Sequence, residues 1–490
     1  MRPATASEFR GGIILHKSGT EFTEYVLRRI GRLLDGTAFY GVLVLIGLTA
    51  VPYGTVDPWW ESIFEFAVFG FTILWLVEGS FRGAWWGKEH WILLPLFALV
   101  LFAIIQTLPL GRFVGGDALG GTLATRTISA DPFETWRFSQ KLLAITLTLG
   151  LLLRYASSER RLVILAYLVI GIGLASAVFG LFRSEMPQSL MALAGERLRS
   201  RSSYGQFENR NHFAFLMEMS LGLVLGLSIG DRARMRRLVL YVFSGLILWA
   251  ALLLTHSRGG VLSLLLEIPF FFLLFSTVRN VAAATLTSNG RPGIEKGRRA
   301  PRLITSIVAV SLILAGVGAS VVFIGGDETI RRLERTPNEF VSRTNGSPKV
   351  ARPQIWKATL ELIKANRFVG VGFAGYSMAI PRYLNASGQG TIQEAHNDYL
   401  ELFASGGVVA AALGIWFFGI FTRLAKVRLR ETTGYYQALS CGAIAGLFGV
   451  AVHSFFDFGL HITVNSLVCT GLIVLAVKIA YNPPGATQQS

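Results

Sequence analysis

The chain has 490 residues, of which 52% are hydrophobic and 16% charged, with a mean hydropathy of +0.50. A water-soluble domain carries roughly 25% charged residues, so a soluble globular fold is excluded and lipid is the solvent such a surface requires. The net charge of +16 does not point to nucleic acid, because the basic residues sit in short clusters between apolar runs, as cytoplasmic loops of membrane proteins do.

The apolar runs are continuous rather than alternating, which predicts helices and not a barrel. A basic segment with Arg28, Arg29 and Arg32 leads into the first run, at about 37–53, and no small-residue cleavage site follows it. It therefore reads as an uncleaved start-transfer helix. Further spans are expected at about 60–78, 91–109, 136–153 (interrupted by Lys141), 162–182, 212–229, 238–254, 260–278 and 303–324. After a long polar stretch from Gly325 to Ala395, the last three fall at about 397–421, 437–456 and 462–480, and Asn482–Ser490 reads as a disordered tail. The expected fold is an all-α polytopic membrane protein of about 12 transmembrane helices, with one large external segment between helices 9 and 10. Four parts follow: 1–200 with helices 1–5, 201–324 with helices 6–9, 325–395 as the external loop, and 396–490 with helices 10–12 and a short tail. Cys441 and Cys469 each lie inside an apolar run, so neither a structural disulfide nor a cysteine metal motif is expected.

Lys and Arg in short loops set the orientation. The N-terminal segment, Arg82/Lys88, Arg154/Arg160/Arg161, Arg232–Arg237, the linker from Arg279 to Arg302 and Arg423/Lys426/Arg428/Arg430 all fall on one side, whereas the turns Pro52–Trp59 and Asp457–His461 carry neither residue. Both termini are thereby expected in the cytoplasm. The segments 183–211 and 325–395 are then external although basic, and their charge needs a reason.

Four polar clusters interrupt the apolar pattern: Glu208-Asn209-Arg210-Asn211-His212, Thr255-His256-Ser257-Arg258-Gly259-Gly260, Glu394-Ala395-His396-Asn397-Asp398-Tyr399, and His453 through Asp457 to His461. The first three precede helices 6, 8 and 10, and the fourth spans the turn between helices 11 and 12. All four are expected at the external face, and they hold five of the seven histidines. Helix N-termini present free N–H groups and a positive dipole end, and guanidinium forks suit phosphate oxygens. That combination favours a diphosphate at the membrane surface. Two readings stay open for several residues. Arg210 and Arg258 fit either a phosphate clamp or a snorkelling lipid anchor, and His396 fits either a proton acceptor or a hydrogen-bonded structural histidine. His212, His256, His453 and His461 read as structural, and Asp457 as orienting a partner or capping helix 12. Glu218, Glu267 and Glu401 lie toward the membrane interior and must be paired or protonated. No His-Glu-x-x-His or comparable spacing occurs, so no metal is expected.

Within the external segment, Arg352-Pro353 opens an expected amphipathic helix with Pro in its first turn. Its stripe of Trp356, Leu360 and Ile363 suits either the bilayer surface or the bundle. Gly370-Val371-Gly372-Phe373-Ala374-Gly375-Tyr376 reads as a flexible turn, lacking the setting of a dinucleotide loop, in a segment suited to act as a lid over the headgroup.

These motifs, in this order, resemble the O-antigen ligase and polymerase superfamily of bacterial envelope glycosyltransferases. The resemblance rests on Asn209–Phe213, Ser257–Gly260, Arg352–Trp356 leading to Gly370–Tyr376, His396–Leu400 and His453–Phe458, and covers about residues 200–460. It implies a GT-C-like enzyme of the bacterial inner membrane, with its active site in the periplasm and no cofactor. The donor would be a glycan on undecaprenyl diphosphate and the acceptor a glycan or lipid A–core, with membrane lipids as surroundings. The resemblance makes His396 and Arg258 the candidate catalytic residues. Arg210, Asn211, His212, Arg352, Asn397 and Asp457 are the candidate substrate-binding residues, in an inverting, metal-independent transfer. A polymerase joining lipid-linked repeats, a protein glycosyltransferase and a flippase for lipid-linked sugars are the alternatives.

Overall fold

The computed structural model describes residues 31–82, 87–110, 127–184, 203–230, 235–288, 352–384 and 392–479, with 29 and 186 as isolated positions. Among them the regular elements are all helices, with one isolated bridge between Tyr204 and Phe207. The helices are α1 (Gly31–Thr49), α2 (Pro58–Arg82), α3 (Leu93–Thr107), α4 (Pro132–Tyr155), α5 (Glu159–Ser184), α6 (Arg210–Gly230), α7 (Met235–Leu254) and α8 (Arg258–Ser288). They continue with α9 (Arg352–Ala365), α10 (Asp398–Glu431), α11 (Gly434–His453) and α12 (Thr463–Val477). Nine helices among the described residues are long and apolar enough to cross a membrane, and the protein is an all-α polytopic membrane protein. The expected ninth span, 303–324, lies outside the described residues.

The order of elements alternates between two ends of the bundle. At one end, Val464 N–H bonds to Gly54 O (3.3 Å), Asp398 N–H to Ser454 O (2.9 Å) and Asn465 Nδ2 to His212 O (2.9 Å). These bonds gather the start of α12, the α1–α2 turn, the starts of α6 and α10, and the end of α11. At the other end Arg161 pairs with Asp35, and Arg154 with Glu78 at 3.7 Å.

α6 is the central helix, buried along most of its length. It packs on α11 through glycines at four-residue spacing, Gly222 and Gly226 against Gly442 and Gly446. A Cβ on Gly222 would lie 2.6 Å from Gly446 N and 2.7 Å from Gly442 O. Small residues at this spacing let two backbones touch, the usual source of helix association in lipid.

Several expected boundaries move, each for a local reason. α1 stops at Thr49 because Tyr53, Gly54 and Thr55 all take positive φ in the turn that follows. α10 runs ten residues past the expected 421, so Arg423–Arg430 is helix and not loop. Arg428 is buried there, with Nε 3.3 Å from Ser440 Oγ. Lys141, which interrupts the fourth run, reaches Glu61 at 2.5 Å and donates to His461 O at 2.8 Å. α4 opens on an Asp131 cap accepting from Glu134 N–H, with Pro132 in the first turn.

The glycine-rich segment after α9 is a packed strap and not a flexible turn. α10 is broken at Gly407 (φ 59, ψ −154), and the strap fills the break. Val408 N–H bonds to Arg367 O (2.9 Å), Val371 N–H to Ala404 O (2.9 Å) and Gly372 N–H to Ser405 O (3.0 Å). Gln106 Nε2 donates to both Val369 O and Ser405 O, while its Oε1 accepts from Phe373 N–H. The backbone groups freed by the break are thus satisfied by protein, as a broken helix in lipid demands. α9 buries one face and leaves part of the expected stripe outward. Ile355, Ala358, Thr359 and Leu362 are buried, in part against Val371, Tyr376 and Ala404, whereas Leu360 is exposed. α9 therefore packs on the bundle through the face beside the expected stripe.

Candidate active site

All four polar clusters lie at one end of the bundle. Their hub is Asp457, on the turn after α11, whose side chain is 1% exposed. Asn211 Nδ2 donates to its Oδ2, and Arg352 reaches the same oxygen at 3.4 Å. Its Oδ1 lies 3.4 Å from His396 Nδ1 and 3.8 Å from His212 Nε2, and accepts from Phe458 N–H at 3.0 Å. Burial alone would raise the carboxyl's pKa. The bond from His396 and the neighbouring His212 and Arg352 outweigh burial and hold it well below the ordinary carboxylate range. Asp457 is thus a fixed negative charge shared by three chain segments.

Each partner is positioned by its own element. Asn209 opens α6, its Oδ1 accepting from Asn211 N–H, which aims Asn211 and His212 at Asp457. His212 packs edge-on against Phe458 at 4.7 Å. Arg352 is the first residue of α9, and its side chain is partly exposed. His396 precedes the cap of α10 and takes φ +51°, a left-handed conformation unusual for a non-glycine. Its side chain is one-third exposed, and Phe458 stacks edge-on against it at 5.1 Å.

Arg258 opens α8 behind a built turn. Thr255 Oγ1 accepts from Ser257 N–H, and Ser257 Oγ accepts from Gly260 N–H as the helix cap. The two glycines that follow admit neighbouring side chains. A Cβ on Gly259 would lie 2.6 Å from the His453 ring, and one on Gly260 2.9 Å from Ala214 Cβ. His453 O in turn accepts from Asp457 N–H at 3.1 Å. The start of α8 and the Asp457 turn therefore share this end, and Arg258 and Arg210 are both partly exposed there.

The candidate binding set divides on this geometry. Arg210, Asn211, Arg258, Arg352 and His396 retain exposure, whereas His212 and Asp457 are buried. Asn397 caps α10. Its Oδ1 accepts from Tyr399 and Leu400 N–H, and its Nδ2 donates to Phe455 O at 3.0 Å. Both ends of the amide are thus engaged in holding the start of α10.

Two pairings were hidden from the sequence reading. One lies beside the hub, where His461 is ringed by Glu394 (3.6 Å), Asp398 (3.6 Å) and Glu401 (3.9 Å). Burial would lower the imidazole's pKa, but the three carboxylates outweigh it and push it up to about 10. Burial would likewise raise Glu394, yet His461 brings it down to about 2. The spacing of Glu394, Asp398 and Glu401 around a helix start was the visible signal, with no hint of a distant histidine between them. The other is His453, buried with Nδ1 2.8 Å from Glu218 Oε1 and its ring stacked on Phe215. Glu218 thereby gains the partner that a carboxyl inside the membrane requires.

Comparison of the chain with curated proteins returns no match. Residues 243–415 match the family model described as O-antigen ligase. The matched stretch carries Arg258, Arg352 and His396, and leaves out Asn209–His212 and His453–His461, which the fold brings to the same end. The likeness to the O-antigen ligase family, whose members are glycosyltransferase-like membrane enzymes, is thus carried by residues 243–415 of this chain.

Proposed function

We propose that the protein is an inverting glycosyltransferase of the O-antigen ligase type, moving a glycan from undecaprenyl diphosphate to an acceptor hydroxyl at the periplasmic face of the bacterial inner membrane. The observation that carries this reading is the convergence of Asn211, Arg352 and His396 on Asp457, at the bundle end where Arg258 opens α8. The distribution of Lys and Arg supports cytoplasmic termini and a periplasmic site.

With Nδ1 directed at Asp457, His396 keeps Nε2 for the acceptor. The buried carboxylate fixes the ring and steadies the imidazolium that forms. The acceptor oxygen attacks the anomeric carbon as its proton passes to Nε2, and the bond from that carbon to the diphosphate breaks with inversion. Undecaprenyl diphosphate leaves with its charge met by Arg258, together with Arg210 or Arg352. Guanidinium groups supply the neutralisation, so the reaction is metal-independent. A flippase is disfavoured by the one-ended clustering and by the α10 break, whose freed groups bind protein backbone and Gln106 instead of lining a midplane site.

The test is purified protein in detergent with lipid-linked glycan, acceptor and EDTA. Product with inverted anomeric configuration is expected without a sealed compartment. Transport without product, or product only on adding a divalent metal, overturns the reading.

A further inference from the structure

The ion cluster around His461 has no part in the transfer chemistry above, yet its geometry is directed at the base. Glu394 lies two residues before His396 and Asp398 two after, and Glu401 follows within the first turn of α10. All three carboxylates point at one imidazole, which belongs to the turn that also carries Asp457. A single cation thus fastens both flanks of His396 to the segment bearing its partner carboxylate.

The segment needs such fastening. His396 sits in the left-handed region, at φ +51°, and a conformation of this kind persists only where its surroundings over-determine it. The backbone bonds fall on both sides of it. Ala395 N–H is held by Glu401 Oε2 at 3.0 Å and Asp398 N–H by Ser454 O at 2.9 Å. Glu401 therefore serves two ends, binding the backbone beside the base with one oxygen and facing His461 with the other.

We propose that His461, as an imidazolium, is a positioning residue for His396, clamping the flanking carboxylates so that the base is held against Asp457. The proposal rests on the reading of His396 as the proton acceptor. The ligand atoms of Glu394, Glu401 and His461 lie within 4.8 Å of one another, a spacing a divalent ion could also span. The imidazolium already provides the cation, and an ion would enter only by displacing its proton.

The experiment uses the full chain in detergent, comparing wild type with His461→Gln and His461→Lys by hydrogen exchange at Ala395 and Asp398 and by steady-state transfer. His461→Gln removes the charge and is expected to raise exchange at both amides at least about tenfold, with protection in α6 and α11 unchanged. The same variant should lower kcat at least about tenfold with KM within about twofold. His461→Lys, which restores a cation, is expected to recover most of both. Unchanged exchange in His461→Gln overturns the clamp. Raised exchange with unchanged kcat overturns the positioning of His396 by His461, whereas unchanged kcat in His396→Ala overturns the reading of His396 as the base. Exchange that rises with EDTA in wild type, and falls on adding Mn2+, assigns the cluster to a metal ion and overturns the imidazolium.

Discussion

His396 and Asp457 meet at 3.4 Å through Nδ1 and Oδ1, while Arg352 and Asn211 hold the other oxygen of the same carboxylate. One buried charge thereby orients the His396 imidazole and the Arg352 guanidinium together. Asp457→Asn keeps the shape and removes the charge. Expected is a fall in kcat of about 100-fold or more, with KM little changed, since the group is 1% exposed. Steady-state kinetics that show mainly a KM effect would count against the orienting role.

Arg258 is assigned to the leaving diphosphate, where a planar fork matters as well as charge. Arg258→Ala is expected to lower transfer by about 100- to 1,000-fold, and Arg258→Lys to recover only part of it. Single-turnover measurements on properly inserted protein check this, and intact transfer in Arg258→Ala would remove the residue from the mechanism.

Asn397 offers a sharp contrast between capping and binding. Asn397→Ser retains a cap and should keep most activity, while Asn397→Ala should cost about 0.5–2 kcal/mol of stability. Equal loss of activity in both variants, with thermal stability unaffected, would return Asn397 to the substrate.

The α6–α11 seam is expected to resist even a methyl group. A Cβ at Gly222 would lie 2.6 Å from Gly446 N, a backbone atom that cannot swing aside. Gly222→Ala should destabilise the bundle by about 1–3 kcal/mol, measured by thermal unfolding in detergent.

The clamp also has a pH signature. The folded His461 sits at about 10 against an ordinary 6.5, so its pKa is raised. Its contribution is then full below about pH 6.5, declines as pH rises, and is gone past about 10. The groups facing it are Glu394, Asp398 and Glu401, with Lys141 on its backbone carbonyl and Glu61 beyond that lysine. Amide exchange at Ala395 should accelerate across that window in wild type and stay flat in His461→Gln. Identical profiles would show that His461 does not titrate against these carboxylates.

Hydropathy made the membrane fold legible because nine apolar runs among the described residues are long and lightly charged. The clustering of Arg210, Arg258 and His396 at one end followed from alternating spans alone. Interior pairings were hidden, since nothing local links Asp457 to Arg352 or His461 to Glu394. The cap at Asn397 was hidden for a related reason: an amide before Asp-Tyr-Leu serves a cap as readily as a ligand, and its bonds to Tyr399, Leu400 and Phe455 show the cap. The strap was misread because glycine suits close packing as well as freedom. At Gly407 a Cβ would strike Phe368 at 2.4 Å.

Lys141 joins Glu61 of α2 to the carbonyl of His461, and Thr463 Oγ1 bonds back to Thr55 O. Helices outside the recognisable domain thus brace the reactive end, so the domain is not a portable cassette. Grafting residues 243–415 into a relative would carry Arg258, Arg352 and His396 across and strand them without Asn211, Asp457 or the Glu61–Lys141 brace. A working chimera has to exchange whole bundles, or hybridise only where no such tie crosses the junction.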